Sequence, residues 1–293
     1  GIIDADNVKR RKFYEVQSFF HDIIKYREAM EAPVKNEAAI VYDYDSLASF
    51  RIQRQSILLD PAAEMQKFYK AFYDQNVGVD VIPEDREFSS YKVVILPQMI
   101  ITKPEMEEKV EAFVKSGGTV IVTYRHAVKD ADNNVPFGET LPVHYNALAG
   151  LTVEETESLQ DYDAFPVVGS GVFEGVEGTG EIFRDMIKVQ DAEVLFRYAD
   201  AFYQEFAAVT RKQTGKGTLY YVGCGLEEKI TKLLMEQVMR DCHFQMVPSE
   251  EGLEIVTRGN EKQKVTMYIN HNAKEVTYGD MTLAPFACKI LEA

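Results

Sequence analysis

The chain has 293 residues, 46% of them hydrophobic and 27% charged, the mix of a globular protein that can bury a sizeable core and a length that suggests about two domains. Lys and Arg number 32 against 47 Asp and Glu; the formal charge of −15 opposes nucleic-acid and anionic-membrane partners, and no basic run offsets it. Apolar stretches stay far below the roughly 20 residues of a membrane span, and no charged-then-apolar leader is expected at the start.

Residues 8–32 read as one amphipathic helix with a stripe of Phe13, Val16, Phe20, Ile23 and Ile24, stopped by Pro33. From Asn36 the pattern alternates between strands and helices. Ala38–Tyr42 is a continuous apolar run suited to a strand covered on both faces. Asp60 and Pro61 open a helix whose stripe is Met65, Phe68, Tyr69 and Phe72. Val79–Ile82 and Val93–Leu96 are strands. Thr102 and Glu105 suggest a capping box for a helix that buries Met106, Val110, Phe113 and Val114 and ends at Gly117-Gly118, before strand Thr119–Thr123. This rhythm predicts a doubly wound, parallel α/β layer. Residues 127–180 are loose and weakly periodic. Val194–Tyr198, Ala207–Thr210 and Thr218–Val222 read as antiparallel strands, the last two joined by a Gly215-Lys-Gly217 turn. A helix from about Glu227 to Cys242 follows, with Ile230, Leu233, Leu234, Val238 and Cys242 as its stripe. After Pro248 the period-two pattern predicts a small antiparallel all-β module.

Each candidate for chemistry meets a plainer rival. Cys224 lies between a strand and a helix, where a nucleophile would be activated, but Tyr221-Val-Gly-Cys-Gly225 lacks the spaced glycines of a nucleophile elbow. A small buried thiol is the better reading, and Cys242 belongs to the core. With Cys288 these are the only cysteines, too few for a disulfide framework, so a reducing cytoplasm is expected. Asp130, Asp132 and Asn134 start like a calcium loop, but Val135 and Leu141 occupy the positions that need Gly and Glu. Gly215-Lys-Gly-Thr218 lacks the first glycine of a phosphate loop, and the Gly169/Gly171 and Gly178/Gly180 pairs do not lead from a clear strand into a clear helix. Asp43 and Asp45 share one face at a strand end, yet no spacing selects any carboxylate pair for glycoside cleavage. Without Trp there is no indole platform for a sugar. No catalytic, metal-binding or cofactor-binding residue is therefore expected in this sequence.

The middle of the chain carries Asp43-Tyr-Asp-Ser46, Tyr91-Lys-Val-Val-Ile-Leu-Pro97, Gly117-Gly-Thr-Val-Ile-Val-Thr-Tyr-Arg125, Phe137-Gly-Glu-Thr-Leu-Pro142, Arg197-Tyr-Ala-Asp200 and Gly215-Lys-Gly-Thr-Leu-Tyr-Tyr-Val-Gly223 in that order. Together they resemble the trimerisation domain of glycoside hydrolase family 42 β-galactosidases. Arg258-Gly259 and Tyr268-Ile-Asn-His271 look like that family's C-terminal β domain, and residues 1–30 like the last stretch of its barrel. The resemblance implies three parts: a barrel remnant over 1–32, an amidotransferase-like (flavodoxin-like) trimerisation domain over 33–246, and a small β domain over 247–293. It also implies a homotrimer, a scaffold role, and a parent that cleaves terminal β-D-galactosides with retention on a catalytic barrel not represented here. Neither catalytic glutamate of the family maps onto this sequence, and its barrel cysteines for zinc are missing. Ala127 stands where a Gly follows the Tyr-Arg motif. The middle region also resembles class I glutamine amidotransferases, whose nucleophilic Cys follows the strand matching Val120–Thr123; here Tyr124-Arg-His126 takes that place. The alternative function is a stand-alone amidotransferase-like enzyme using Cys224. A flavodoxin-like binding module is a third reading, weakened because no loop offers a phosphate nest.

Overall fold

The computed structural model describes residues 1–160 and 163–292; Asp161, Tyr162 and Ala293 lie outside the described residues. The chain opens with helices α1 (Arg11–Lys25) and α2 (Arg27–Glu31), then strand β1 (Ala38–Tyr42), helices α3 (Tyr44–Ile52) and α4 (Pro61–Tyr73), and strands β2 (Val79–Pro83) and β3 (Val93–Leu96). Helix α5 (Pro104–Ser116), strand β4 (Thr119–Thr123) and the short α6 (Asn146–Ala149) follow. Strands β5 (Leu151–Ser158), β6 (Phe165–Gly169), β7 (Glu177–Val189), β8 (Glu193–Tyr198), β9 (Ala207–Thr214), β10 (Gly217–Val222) and β11 (Cys224–Leu226) lead to helix α7 (Glu228–Asp241). The chain ends in β12 (Leu253–Gly259), β13 (Lys264–Asn270), β14 (Val276–Tyr278), β15 (Met281–Leu283) and β16 (Cys288–Glu292).

One large mixed sheet organises the middle of the chain. Its order is β11-β7-β6-β8-β9-β10-β4-β3-β1-β2, with β5 paired to β7. Strands β2, β1, β3, β4 and β10 are parallel; from β9 onward the pairing turns antiparallel. Ala38–Val41, Val93–Leu96 and Val120–Val122 are buried to 1% exposure or less, the continuous burial of strands covered on both faces. Val81 on edge strand β2 is exposed. The expected parallel layer is thus one half of a larger mixed sheet.

Helix signals act through local chemistry. Asp60 Oδ1 accepts from the N–H groups of Ala62 (3.0 Å) and Ala63 (3.2 Å), and Pro61 sits at the first helical position, where its missing donor is harmless. The buried face of α4 is Glu64, Phe68, Ala71 and Phe72; Tyr69, expected inside, is exposed. Helix α3 was not anticipated: Asp43 caps it, its carboxylate accepting from Asp45 N–H (3.2 Å) and Ser46 N–H (3.0 Å). The expected capping box at α5 does not form. Pro104 starts that helix, and the Thr102 hydroxyl donates to Glu107 Oε1 (2.6 Å) instead. At its other end Gly117 takes φ 124°, and a Cβ on Gly118 would lie 2.3 Å from the Phe113 ring, so both glycines are required.

Residues 127–180, expected to be irregular, hold β5, β6 and the start of β7. The β5–β7 register shifts between Val153 and Thr156, and such a bulge erases the period-two pattern by which a strand is read. The 8–32 helix is broken at Tyr26, whose φ of −106° and ψ of 29° end α1. Tyr26 is buried with Ala29 and Val265, whereas α1 buries no side chain.

The described chain divides into two compact units. The larger comprises Asn36–Tyr73 and Val77–Gln245; the smaller gathers Gly1–Lys35, Asp74–Asn76 and Met246–Ala293. In the larger, Val94, Leu96, Val110, Val114, Val120, Val122 and Leu219 share one core, and α4 packs on α7. In the smaller, β12-β13-β16 and β14-β15 form two antiparallel sheets around Leu253, Ile255, Val276 and Leu283. Asn76, at φ 53°, ties three pieces of that unit: its amide donates to Val247 O (2.7 Å) and Ser249 Oγ (2.8 Å), and its oxygen accepts from Ile255 N–H (2.7 Å).

Candidate functional site at the carboxyl edge of the sheet

Open α/β sheets bind ligands outside the carboxyl ends of their parallel strands. At that edge β4 ends in a sharp turn, with Arg125 at φ 60° and Ala127 at φ 52°; Gln98, just beyond β3, is at φ 45°. Left-handed backbone strains a residue that has a Cβ, and it persists where the surroundings over-determine it. Here they do. The Ala127 N–H donates to Met99 O and the Val128 N–H to Ile100 O (both 2.9 Å), and Gln98 N–H donates to Thr123 Oγ1 (2.7 Å). Ala127 is fully enclosed at its left-handed turn.

Asp185 on β7 clamps the same turn. Its buried carboxylate accepts from Arg125 N–H (3.0 Å), the Tyr221 hydroxyl (2.8 Å) and the Thr156 hydroxyl (2.7 Å). Burial pushes its pKa above the usual carboxylate value, against the pull of those donors and of the Arg125 charge. His126 is buried, with no hydrogen-bond partner on either ring nitrogen, and stands edge-on to Tyr145 at 4.4 Å. Burial lowers its pKa to about 3, so the ring is neutral at ordinary pH.

Two further clusters close on themselves. Glu64 meets Lys67 Nζ at 2.5 Å and accepts from the Tyr124 hydroxyl (3.2 Å), while Lys67 also reaches Glu181 (3.1 Å) and Leu226 O (3.0 Å). Burial raises the Glu64 pKa, and Lys67 draws it back in part. The Arg184 guanidinium lies 3.7 Å from the Tyr203 ring centre and 4.1 Å from that of Phe165, paired with Asp200 at 3.1 Å. Sandwiched so, it is a planar filler as much as a charge.

Cys224 is 1% exposed on β11. Burial pushes its thiol far up, and the charges of Asp185 and Glu64 add to that, so at neutral pH it is a thiol and not the thiolate that nucleophilic chemistry needs. Cys242 is partly buried, its sulfur 3.3 Å from Thr119 Oγ1, and Cys288 is exposed. The turn that follows β4 is Tyr124-Arg-His126 and holds no cysteine.

The remaining sequence candidates are engaged locally. Oxygens of Asp43, Asp45 and Glu84 lie within 4.8 Å of one another, but Asp43 caps α3, and Lys103 Nζ bridges Asp45 (2.7 Å) and Glu84 (2.6 Å). Burial alone would lower the Lys103 pKa; its two carboxylate bonds outweigh that and hold it above its usual value. Asp130 Oδ1 accepts from the N–H groups of Asp132 (3.0 Å) and Asn134 (2.9 Å), closing a turn on itself. Gly215 (φ 62°) and Lys216 form the two-residue turn of the β9–β10 hairpin, with the Lys216 N–H donating to Lys115 O (3.2 Å). Gly178 and Gly180 make room within β7 for Ile230 and Phe165, a packing role with no ligand in it. A groove of about 1060 Å³ bordered by Lys92, Arg211, Lys216, Tyr220 and Asp241 lies at the amino ends of β4 and β10, away from this edge.

Sequence reasoning missed Asp185, Arg184 and Glu64. The first two fall on β7, whose pairing with β11 is irregular between Glu181 and Arg184, though the flanking Ile182-Phe183 and Met186-Ile187 pairs were a signal; Glu64 stood in a first helical turn with no pattern to mark it.

The fold and this edge define an α/β domain with a parallel half-sheet, whose strained turn carries an arginine and is clamped from within by Asp185. Residues 36–245 match the family described as the β-galactosidase trimerisation domain. The chain belongs to that family. It is 30% identical to the β-galactosidase BgaA of Clostridium cellulovorans over 319 aligned positions, covering all of this chain and 46% of that protein. It is 28% identical to the β-galactosidase Pbg of Clostridium perfringens, covering 91% of this chain and 40% of that one. In three dimensions the whole chain superposes on 46% of the β-galactosidase from Bacillus circulans sp. alkalophilus, with a TM-score of 0.88 at 24% identity. It superposes equally fully on 45% of Gan42B, a GH42 β-galactosidase from G. stearothermophilus, with a TM-score of 0.89 at 22% identity. The chain therefore spans about half the length of the relatives it matches, and the expected resemblance to glycoside hydrolase family 42 is borne out.

Proposed function

We propose that this chain is the non-catalytic oligomerisation region of a longer β-galactosidase-like glycoside hydrolase, whose barrel, outside these 293 residues, cleaves terminal β-D-galactosides. The observation that carries the reading is the family match over residues 36–245, in a chain that covers 46% of its relative BgaA. The self-association is that of a homotrimer, as the family description suggests. The parallel order β2-β1-β3-β4-β10 supports an amidotransferase-like, flavodoxin-like ancestry for this domain. The Arg125 turn and the buried, protonated Cys224 support a scaffold over a thiol enzyme and favour a chain without catalytic, metal or cofactor residues of its own. Divisions near residues 32 and 246 into barrel remnant, trimerisation domain and β domain remain the proposed organisation. The exposed Phe19, Phe20 and Ile24 on α1 form a face for the parent's barrel.

No helix among the described residues is long and apolar enough to cross a membrane. The net charge of −15 supports a protein without nucleic-acid or membrane partners, and the free cysteines support a cytoplasmic setting. The test pairs an assay with a mass. The purified chain should leave aryl β-galactosides at the buffer rate and sediment as a trimer at tens of micromolar. Turnover that co-purifies with the chain, or glutamine hydrolysis abolished by Cys224→Ala in a folded variant, would overturn the scaffold reading.

A further inference from the structure

Two neighbouring segments at the carboxyl edge of the larger unit are opposite in charge and both expose apolar side chains. The first, residues 46–59, carries Arg51 and Arg54 and no acid; the second, residues 130–143, carries Asp130, Asp132 and Glu139 and no base. They are fastened together inside one copy: the Ser49 hydroxyl donates to Asn133 Oδ1 (2.6 Å), and Lys129 Nζ donates to both Ser49 Oγ (3.1 Å) and Asn133 Oδ1 (3.0 Å). Each presents large apolar groups to solvent. Ile52 is 78% exposed and Ile57 58%; Val135 is 62% exposed and Phe137 completely so.

A phenyl ring held wholly in water on a loop of an acidic protein gains from being covered. The inference rests on the self-association proposed above. A closed ring of three copies cannot be built from one self-complementary patch; it needs two different surfaces that fit each other, one given and one received by every copy. Copies at −15 each also need opposite charges facing across the contact. The two segments meet both requirements. We infer that the Val135–Phe137 segment of one copy seats on the Ile52–Ile57 segment of the next copy, with Asp132 and Glu139 facing Arg51 and Arg54 around the apolar contact.

Sedimentation equilibrium on three proteins and one mixture tests this. The wild-type chain should have about three times its 33.3 kDa mass. Phe137→Asp spoils the giving surface and leaves the receiving one; Ile52→Asp does the reverse. Each alone should be monomeric, with a dissociation constant at least tenfold higher, and because both side chains are exposed the urea midpoint should match that of the wild type diluted to its monomer. Mixed in equal amounts, the two variants retain one intact contact between them and should form a pair of twice the monomer mass. Variants that keep the wild-type mass, or a mixture that stays monomeric, overturn this surface and leave self-association standing. A wild-type chain of monomer mass at tens of micromolar overturns the self-association reading and the surface with it.

Discussion

Helices α1 and α4 have the same apolar repeat and opposite fates. α4 presses Phe68 and Phe72 into the interior and even encloses Glu64, whereas α1 buries no side chain and leaves Phe19, Phe20 and Ile24 in solvent. In the larger unit around α4, Glu64 closes on Lys67 and Asp185 on the Arg125 turn. An amphipathic repeat states that a helix needs a partner and does not say where that partner is. For α4 the partner includes α7; on the α1 stripe Phe20 and Ile24 are exposed and Phe13, Val16 and Ile23 only half-buried.

The sharpest way to break the comparison is to remove the same chemical group from both helices. Phe72→Ala empties a fully buried site that meets Phe244 edge-on, ring centres 6.0 Å apart, and should destabilise the chain by about 3–5 kcal/mol in urea unfolding. A smaller loss, about 2–3 kcal/mol, is expected for Asp185→Ala, which strands the Arg125 N–H and the Tyr221 and Thr156 hydroxyls in the interior; the same titration measures it. Next comes pH. The His126 pKa falls from 6.5 to about 3 on folding, so its contribution to stability is complete above 6.5 and is lost as pH drops toward 3, because only the unfolded chain takes up the proton. The wild type should lose about 1 kcal/mol per pH unit across that window through this group, and His126→Phe should flatten the slope. Asp185 and Glu64 act in the opposite sense: their raised pKa values favour the fold at low pH and fade as pH rises, so the His126 contribution is read as the difference between wild type and variant. Smallest of all, Phe20→Ala on α1 should change the unfolding free energy in urea by no more than about 0.5 kcal/mol. A loss of several kcal/mol there would place the α1 stripe inside a core of this chain.

The same contrast explains what could be read before the structure was known. Strands Ala38–Tyr42, Val93–Leu96 and Thr119–Thr123 announced themselves because burial on both faces leaves an unbroken apolar run. Helix α3 did not, since its start is an Asp43 side chain taking two N–H groups and its body has no strong apolar face. Strand β5 was hidden by its bulge at Val153–Thr156, and β7 by its own irregularity between Glu181 and Arg184 opposite β11. Of the polar edge, the turn at Tyr124-Arg-His126 was noticed only for the nucleophile it lacks, while Asp185, which holds it, comes from a strand more than fifty residues further on. Periodicity sees neighbours along the chain; a clamp between distant strands leaves no trace in it.

The smaller unit carries a consequence for synthesis on the ribosome. Arg258 donates to the carbonyls of Met30 and Ala32, and 228 residues separate Arg258 from Met30. At a translation rate of about 5–20 residues per second, the first two helices wait roughly 10–45 s before β12 and β13 emerge to receive Tyr26 and Ala29. The whole mixed sheet is translated in that interval. A nascent chain held at the stage where residues up to 245 are outside the ribosome and β12 is still inside should therefore present a folded larger unit and a first segment that proteases still cut, and release of the remaining residues should protect Tyr26–Met30 in a single step.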